Sequence, residues 1–79
     1  MNISMRARDL LADIARRGGG EIPEFRLLVA LDCSHGTFVA ARRELVAAAL
    51  LRVTHPCRHA RYEVLAGAEE LAAMQRRSA

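Results

Sequence analysis

The sequence predicts a mainly α-helical domain that carries one small β-hairpin. Three observations lead there. Apolar residues recur at three- and four-residue spacing as far as Ala49, the mark of helices that bury one face. The pattern then changes to alternation in "LLRVT" and "ARYEVL", the mark of strands. Turn-forming stretches separate these runs: "GGG" at Gly18 to Gly20, "DCS" at Asp32 to Ser34, and "HPCRH" at His55 to His59.

The first helix is expected at about residues 5–17. Ser4 caps it, Ala7, Leu10, Leu11, Ile14 and Ala15 form its apolar stripe, and Gly18 ends it in the left-handed conformation. Glu21-Ile22 is long enough for one short extended bridge. The second helix, about 23–31, starts at Pro23, whose missing N–H costs nothing there. Phe25, Leu28 and Leu31 share one of its faces. Asp32 sits at the tight turn that follows, because Asp tolerates the left-handed region. Ser34 caps a third helix at about 35–49 with Phe38, Ala41, Leu45 and Ala48 inward. A hairpin follows at about 50–65, with Leu51 and Val53 on one face and Tyr62 and Val64 on another. The last helix, about 68–77, has Glu69 and Glu70 at its start and Arg76 and Arg77 at its end, as its dipole prefers.

Seventy-nine residues make a single domain, 1–79, that buries only ~60% of its unfolded surface. With 52% hydrophobic residues, many of them alanine, helix is favoured and the stability margin is thin, which a dimer would remedy. All twelve basic residues are arginine, and the net charge of +3 fits a nucleic-acid partner without demanding one. Two cysteines are too few for a disulfide scaffold. No leader opens the chain and Val46 to Leu51 is too short to span a bilayer, so a cytoplasmic protein without membrane attachment is expected.

Helix, bridge, helix, turn, helix, hairpin, helix is the winged-helix order. "LLVALDCSHGTFVAARREL" with its flanks resembles the winged helix-turn-helix domains of bacterial regulators, especially the GntR and MarR kinds. Leu27, Leu31, Cys33 and Ser34 fill the second-helix-and-turn pattern, with Asp32 in place of its glycine. Thr37 and Phe38 stand where Thr-Val is usual, Leu45 on the core leucine, and Leu50-Leu51 on the pair that opens the wing, with Ala49 replacing the preceding glycine. The resemblance runs from Ala7 to about Leu65 and implies a three-helix core, a wing and a short C-terminal helix. It also implies that the third helix reads the DNA major groove.

On that reading His35, Thr37, Val39, Arg42 and Arg43 face DNA from the third helix, and Arg58 and Arg61 from the wing. Thr37 would meet a phosphate, His35 and Arg43 base edges, and Val39 a thymine methyl. The chain departs from the family on this face: Gly36, Val39 and Ala40 occupy places that carry polar readers in relatives. Leu71 and Met74, with Ile3 and Met5, serve either the core or a dimer seam. His55, Cys57 and His59 alternate and are zinc-type ligands, with Cys33 and His35 in "CSH", but no C-x2-C or H-x3-H spacing accompanies them, so no metal or other cofactor is expected. No nucleophile elbow, phosphate loop or carboxylate pair is present, so the chain is not read as an enzyme.

The expected function is a small homodimeric, sequence-specific DNA-binding regulator that represses transcription by occupying a promoter. Its size leaves no room for an effector domain and suits a phage or plasmid gene set. The alternative is a winged helix that binds protein, such as a phage-encoded inhibitor of a host defence complex.

Overall fold

Each of the three long helices ends in the same way, and that ending sets the corners of the fold. A residue with positive φ follows the last turn: Gly18 at 81°, Asp32 at 51° and Ala49 at 58°. The next backbone N–H then reaches back over the turn, from Gly19 to Ile14, Cys33 to Leu28 and Leu50 to Leu45. These bonds satisfy carbonyls that the helix leaves orphaned and turn the chain sharply. Glycine takes the conformation freely and Asp tolerates it, whereas Ala49 adopts it against its Cβ.

The computed structural model describes residues 3–55, 59–67 and 69–72. Helix α1 spans Met5–Arg16, strand β1 Gly20–Glu21, helix α2 Glu24–Leu31, helix α3 His35–Ala47, strand β2 Leu51–Thr54 and strand β3 Arg61–Val64. Residues 69–72 are helical. The described residues are thus mostly helical, with a three-stranded antiparallel sheet in the order β1-β3-β2, an α+β arrangement. Ser4 caps α1 and Ser34 caps α3, each accepting a bond from the N–H three residues on. Pro23 precedes α2 rather than opening it.

The core joins Leu10, Leu11 and Ile14 of α1 to Leu27 and Leu31 of α2, Phe38 and Leu45 of α3, and Leu51 and Tyr62 of the hairpin. Two sequence expectations are corrected. Leu27 and Leu31 are the buried pair of α2, while Phe25 is 62% exposed. The α1 contact selects the i, i+4 row through Leu27, and that rotation turns Phe25 outward. The hairpin also has one inner face, not two. Its register sets Leu51 opposite Val64 and Val53 opposite Tyr62, and directly opposed residues of an antiparallel pair share a side.

Gly19 passes so close to β3 that a Cβ there would lie 2.8 Å from the Tyr62 carbonyl oxygen. This approach lets β1 pair with β3, Gly20 opposite Tyr62 and Glu21 opposite Arg61. At the end of α1, buried Asp13 accepts bonds from Arg16 (2.7 Å) and Arg17 (2.8 Å). Burial opposes its ionisation, but the hydrogen bonds and charges of Arg17 and Arg16 prevail and hold the carboxyl below its ordinary value. Arg6 donates to the Leu31 carbonyl at 2.7 Å and so closes the far end of α2 onto α1. Ser4 bonds Glu44 through both its backbone N–H and its hydroxyl, tying the start of α1 to α3.

Candidate nucleic-acid interface

Burying Phe38, Ala41 and Leu45 fixes the rotation of α3, and therefore which side chains leave the protein. Outward, at four-, three- and four-residue spacing, run Gly36, Ala40, Arg43 and Ala47, all exposed. His35 and Thr37 flank this line at the helix start, also exposed. Thr37 Oγ1 lies 2.9 Å from Ser34 Oγ, so the cap and the threonine form one small polar group at the N-terminus. The outward face is lined by small residues around a single arginine.

Beside it lies an open groove of about 560 Å³ between α3 and β2, lined by Val39, Arg42, Arg43, Val46, Ala47 and Val53. Val39 is half-buried and packs against the core from the groove wall, so it presents only part of its surface outward. Arg42 turns inward. Its side chain is 13% exposed, its guanidinium stacks 5.2 Å over the Phe38 ring, and Nη1 stands 4.0 Å from Glu24 Oε1. The Tyr62 hydroxyl faces the same guanidinium. Burial raises the Tyr62 phenol above its ordinary value, Arg42 pulls it back, and Glu24 adds to the rise. Arg42 thus joins α2, α3 and β3 as a positioning residue; the sequence left a phosphate or an acidic partner open for it, and Glu24 is the acid it approaches.

The other basic side chains are distributed unevenly. His35 Nε2 lies 3.3 Å from Glu24 Oε2, so Glu24 serves both ends of α3's first two turns. Arg61 and His59 both approach Glu21, at 3.9 and 3.1 Å, and Arg52 pairs with Glu63 across the hairpin at 3.1 Å. Arg43 has no carboxylate partner among the described residues. Arg58, Cys57 and Met74 lie outside the described residues, as does the chain beyond residue 72. Leu71 is half-buried against the core and borders a hollow with Ala15, Gly19 and Tyr62.

The acids that hold these cations escaped the reading of the sequence. Glu21 meets Arg61 only through the β1–β3 register, which no local spacing encodes. Glu63 sits opposite Arg52, a pairing that follows once the hairpin register is known. Of the zinc-type residues, His55 is exposed at the end of β2, His59 is held by Glu21 and Cys33 packs half-buried against the core. Among the described residues no three His, Cys, Asp or Glu side chains gather as a metal set, and no helix is long and apolar enough to cross a membrane. Compared with known proteins, the chain matches no family model, no curated protein and no solved structure.

Proposed function

We propose that this chain is a winged-helix DNA-binding module and acts as a small repressor by occupying its site. The element order supports the reading: helix, strand, helix, helix, hairpin, with the hairpin alongside α3. One observation carries it. The exposed line of α3 consists of Gly36, Ala40 and Ala47 around Arg43, so the helix backbone can sink deep into a major groove while one guanidinium reaches a guanine edge. Thr37 and the capped N-terminus of α3 suit a flanking phosphate. The hairpin, with Arg61 and Arg58, would lie over the neighbouring backbone. Such a module would work without cofactor in the cytoplasm of a bacterium, as a homodimer on paired half-sites, and would suit a phage or plasmid gene set.

Selection from random duplex DNA at two salt concentrations tests the reading. Enrichment of a roughly palindromic site that survives moderate salt supports it, and Arg43→Ala should then remove most of the affinity. Weak binding that vanishes with salt, unchanged by Arg43→Ala, overturns it.

A specific observation favours a second reading, in which α3 and the hairpin dock a protein. The groove is walled by Val39, Val46, Ala47 and Val53, and the arginines Arg52 and Arg61 are already occupied by Glu63 and Glu21. Val46→Gln, which adds no charge beside Arg43, separates the two readings. It should disrupt a protein interface while leaving the fold intact, since Val46 is 46% exposed.

A further inference from the structure

The two most exposed large apolar side chains of the described structure sit on one face of α2, away from the groove beside α3. Phe25 is 62% and Val29 76% exposed, one helical turn apart. Next to them is a hollow of about 290 Å³ bordered by Arg17, Phe25, Arg26, Val29 and Ala30. The face therefore carries a protruding ring and a recess side by side. That is the requirement of an interface between identical copies, where each residue meets its opposite number about a two-fold axis.

We infer that the outer face of α2 docks a second copy of this chain, each Phe25 seating in the hollow between Arg17, Arg26, Val29 and Ala30 of its partner. A two-fold axis across α2 sets the helices antiparallel, so their dipoles oppose favourably. It also brings the first turn of one α2 toward the last turn of the other. Arg26 stands at the first turn and Asp32 at the end, both exposed and neither ion-paired among the described residues. Each Arg26 then approaches the partner's Asp32 at both ends of the contact. Arg26 already lies 5.6 Å from its own Phe25 ring centre, and in the dimer each ring enters a pocket with two guanidinium groups at its rim.

Interfaces of small proteins take roughly a tenth of the surface, which for 5016 Å² would be about 500 Å² per protomer. About 1,000 Å² in total would stand at the lower edge for a specific interface, so a weak, concentration-dependent dimer is expected. The face is separate from the outward line of α3, and the inference does not rest on DNA binding.

Sedimentation equilibrium without DNA, from about 10 μM to about 1 mM protein, tests it. The wild type should pass from monomer to dimer across this range. Val29→Glu should weaken association at least about tenfold, with circular dichroism and melting unchanged because the site is exposed. Arg26→Glu should weaken it as well, and adding Asp32→Asn should regain part of the loss by removing the facing acid. Val46→Thr, in the groove beside α3 that shares no lining residue with this hollow, should have no effect. A wild type that stays monomeric throughout, or a Val29→Glu protein that associates as well as wild type, overturns the inference. The two failures are distinguishable: the sedimentation experiment contains no DNA, and the selection reads DNA affinity through Arg43, which is not on this face.

Discussion

Replacing Arg42 by alanine should unfold this protein at a markedly lower temperature, although the residue looks from the sequence like a surface arginine on a DNA-facing helix. Its side chain is 13% exposed and makes three kinds of contact. The guanidinium lies over Phe38 at 5.2 Å, an arrangement worth ~0.5–2 kcal/mol depending on desolvation. Its aliphatic stem fills space between α3 and the hairpin, and removing such a stem costs packing independent of charge. The ion pair with Glu24 is long at 4.0 Å and, with Glu24 partly exposed, adds at most about 1 kcal/mol. Together these give about 2 kcal/mol, counting the exposed-end pair lightly. In a domain of this size each kcal/mol moves Tm by ~4–8 °C, so a fall of roughly 10–15 °C is expected.

The assay is a thermal melt of Arg42→Ala beside Arg42→Met and Arg43→Ala. Methionine keeps the stem, so Arg42→Met should recover about half of the loss. Arg43→Ala should melt as wild type, because its side chain is exposed and has no ion-pair partner among the described residues. An Arg42→Ala protein with an unchanged Tm would refute the reasoning. Arg42 would then be a free cation, open to DNA as the sequence reading has it.

Three further outcomes follow from the backbone and from Asp13. Ala49→Gly should raise stability by about 0.5–1 kcal/mol in urea unfolding, since Ala49 holds φ 58° against its Cβ and glycine would not. Gly19→Ala should lower stability by roughly 1–3 kcal/mol, because a positive φ and a 2.8 Å clash with the Tyr62 carbonyl act together, whereas Gly18→Ala meets open space and should cost less. Asp13 has a carboxyl value lowered in the fold, so its contribution is present above the unfolded carboxylate value and is lost as pH falls through the folded one. Stability measured between neutral and strongly acid pH should therefore fall on the acid side, and Asp13→Asn should flatten that fall. An equal acid slope in the variant would show that other carboxylates carry it.

Local signals placed most of the fold. Ser4, Ser34, Gly18 and Asp32 encode helix ends within a few residues, and each stands at the end it indicates. Ala49 was not: the sequence placed it inside the third helix, which ends at Ala47, and it was marked only by the resemblance, as an alanine in a glycine's place. What stayed hidden depends on partners distant in sequence. The helical periodicity of α2 allows either Phe25 or Leu27 inward, and only the contact with α1 decides. Arg42 and Arg43 are adjacent and chemically identical, yet Phe38, Glu24 and Tyr62 draw one in and leave the other out. The candidate site was therefore readable as a helix and a hairpin but not as a set of free charges.

Those free charges make a last prediction about DNA. Each phosphate neutralised by a protein cation contributes about −0.9 to the slope of log affinity against log salt. On the proposed DNA-binding reading, Arg52, Arg61 and His59 would reach phosphates only after leaving Glu63 or Glu21, while Arg43 is unpaired among the described residues. A shallow slope, roughly −2 to −4, is expected for the chain. Glu21→Gln should release Arg61 and His59 together, since both lean on that one carboxylate. Affinity should rise and the slope steepen by about 1 per phosphate gained. The exposed pair contributes little to folding, so Tm should stay near wild type. If Glu21→Gln changes neither affinity nor slope while Arg43→Ala abolishes binding, the hairpin does not touch the backbone, and α3 alone would hold the DNA. If it strengthens binding, Glu21 would act as a brake on non-specific attraction, as the proposed reading with few base contacts would require.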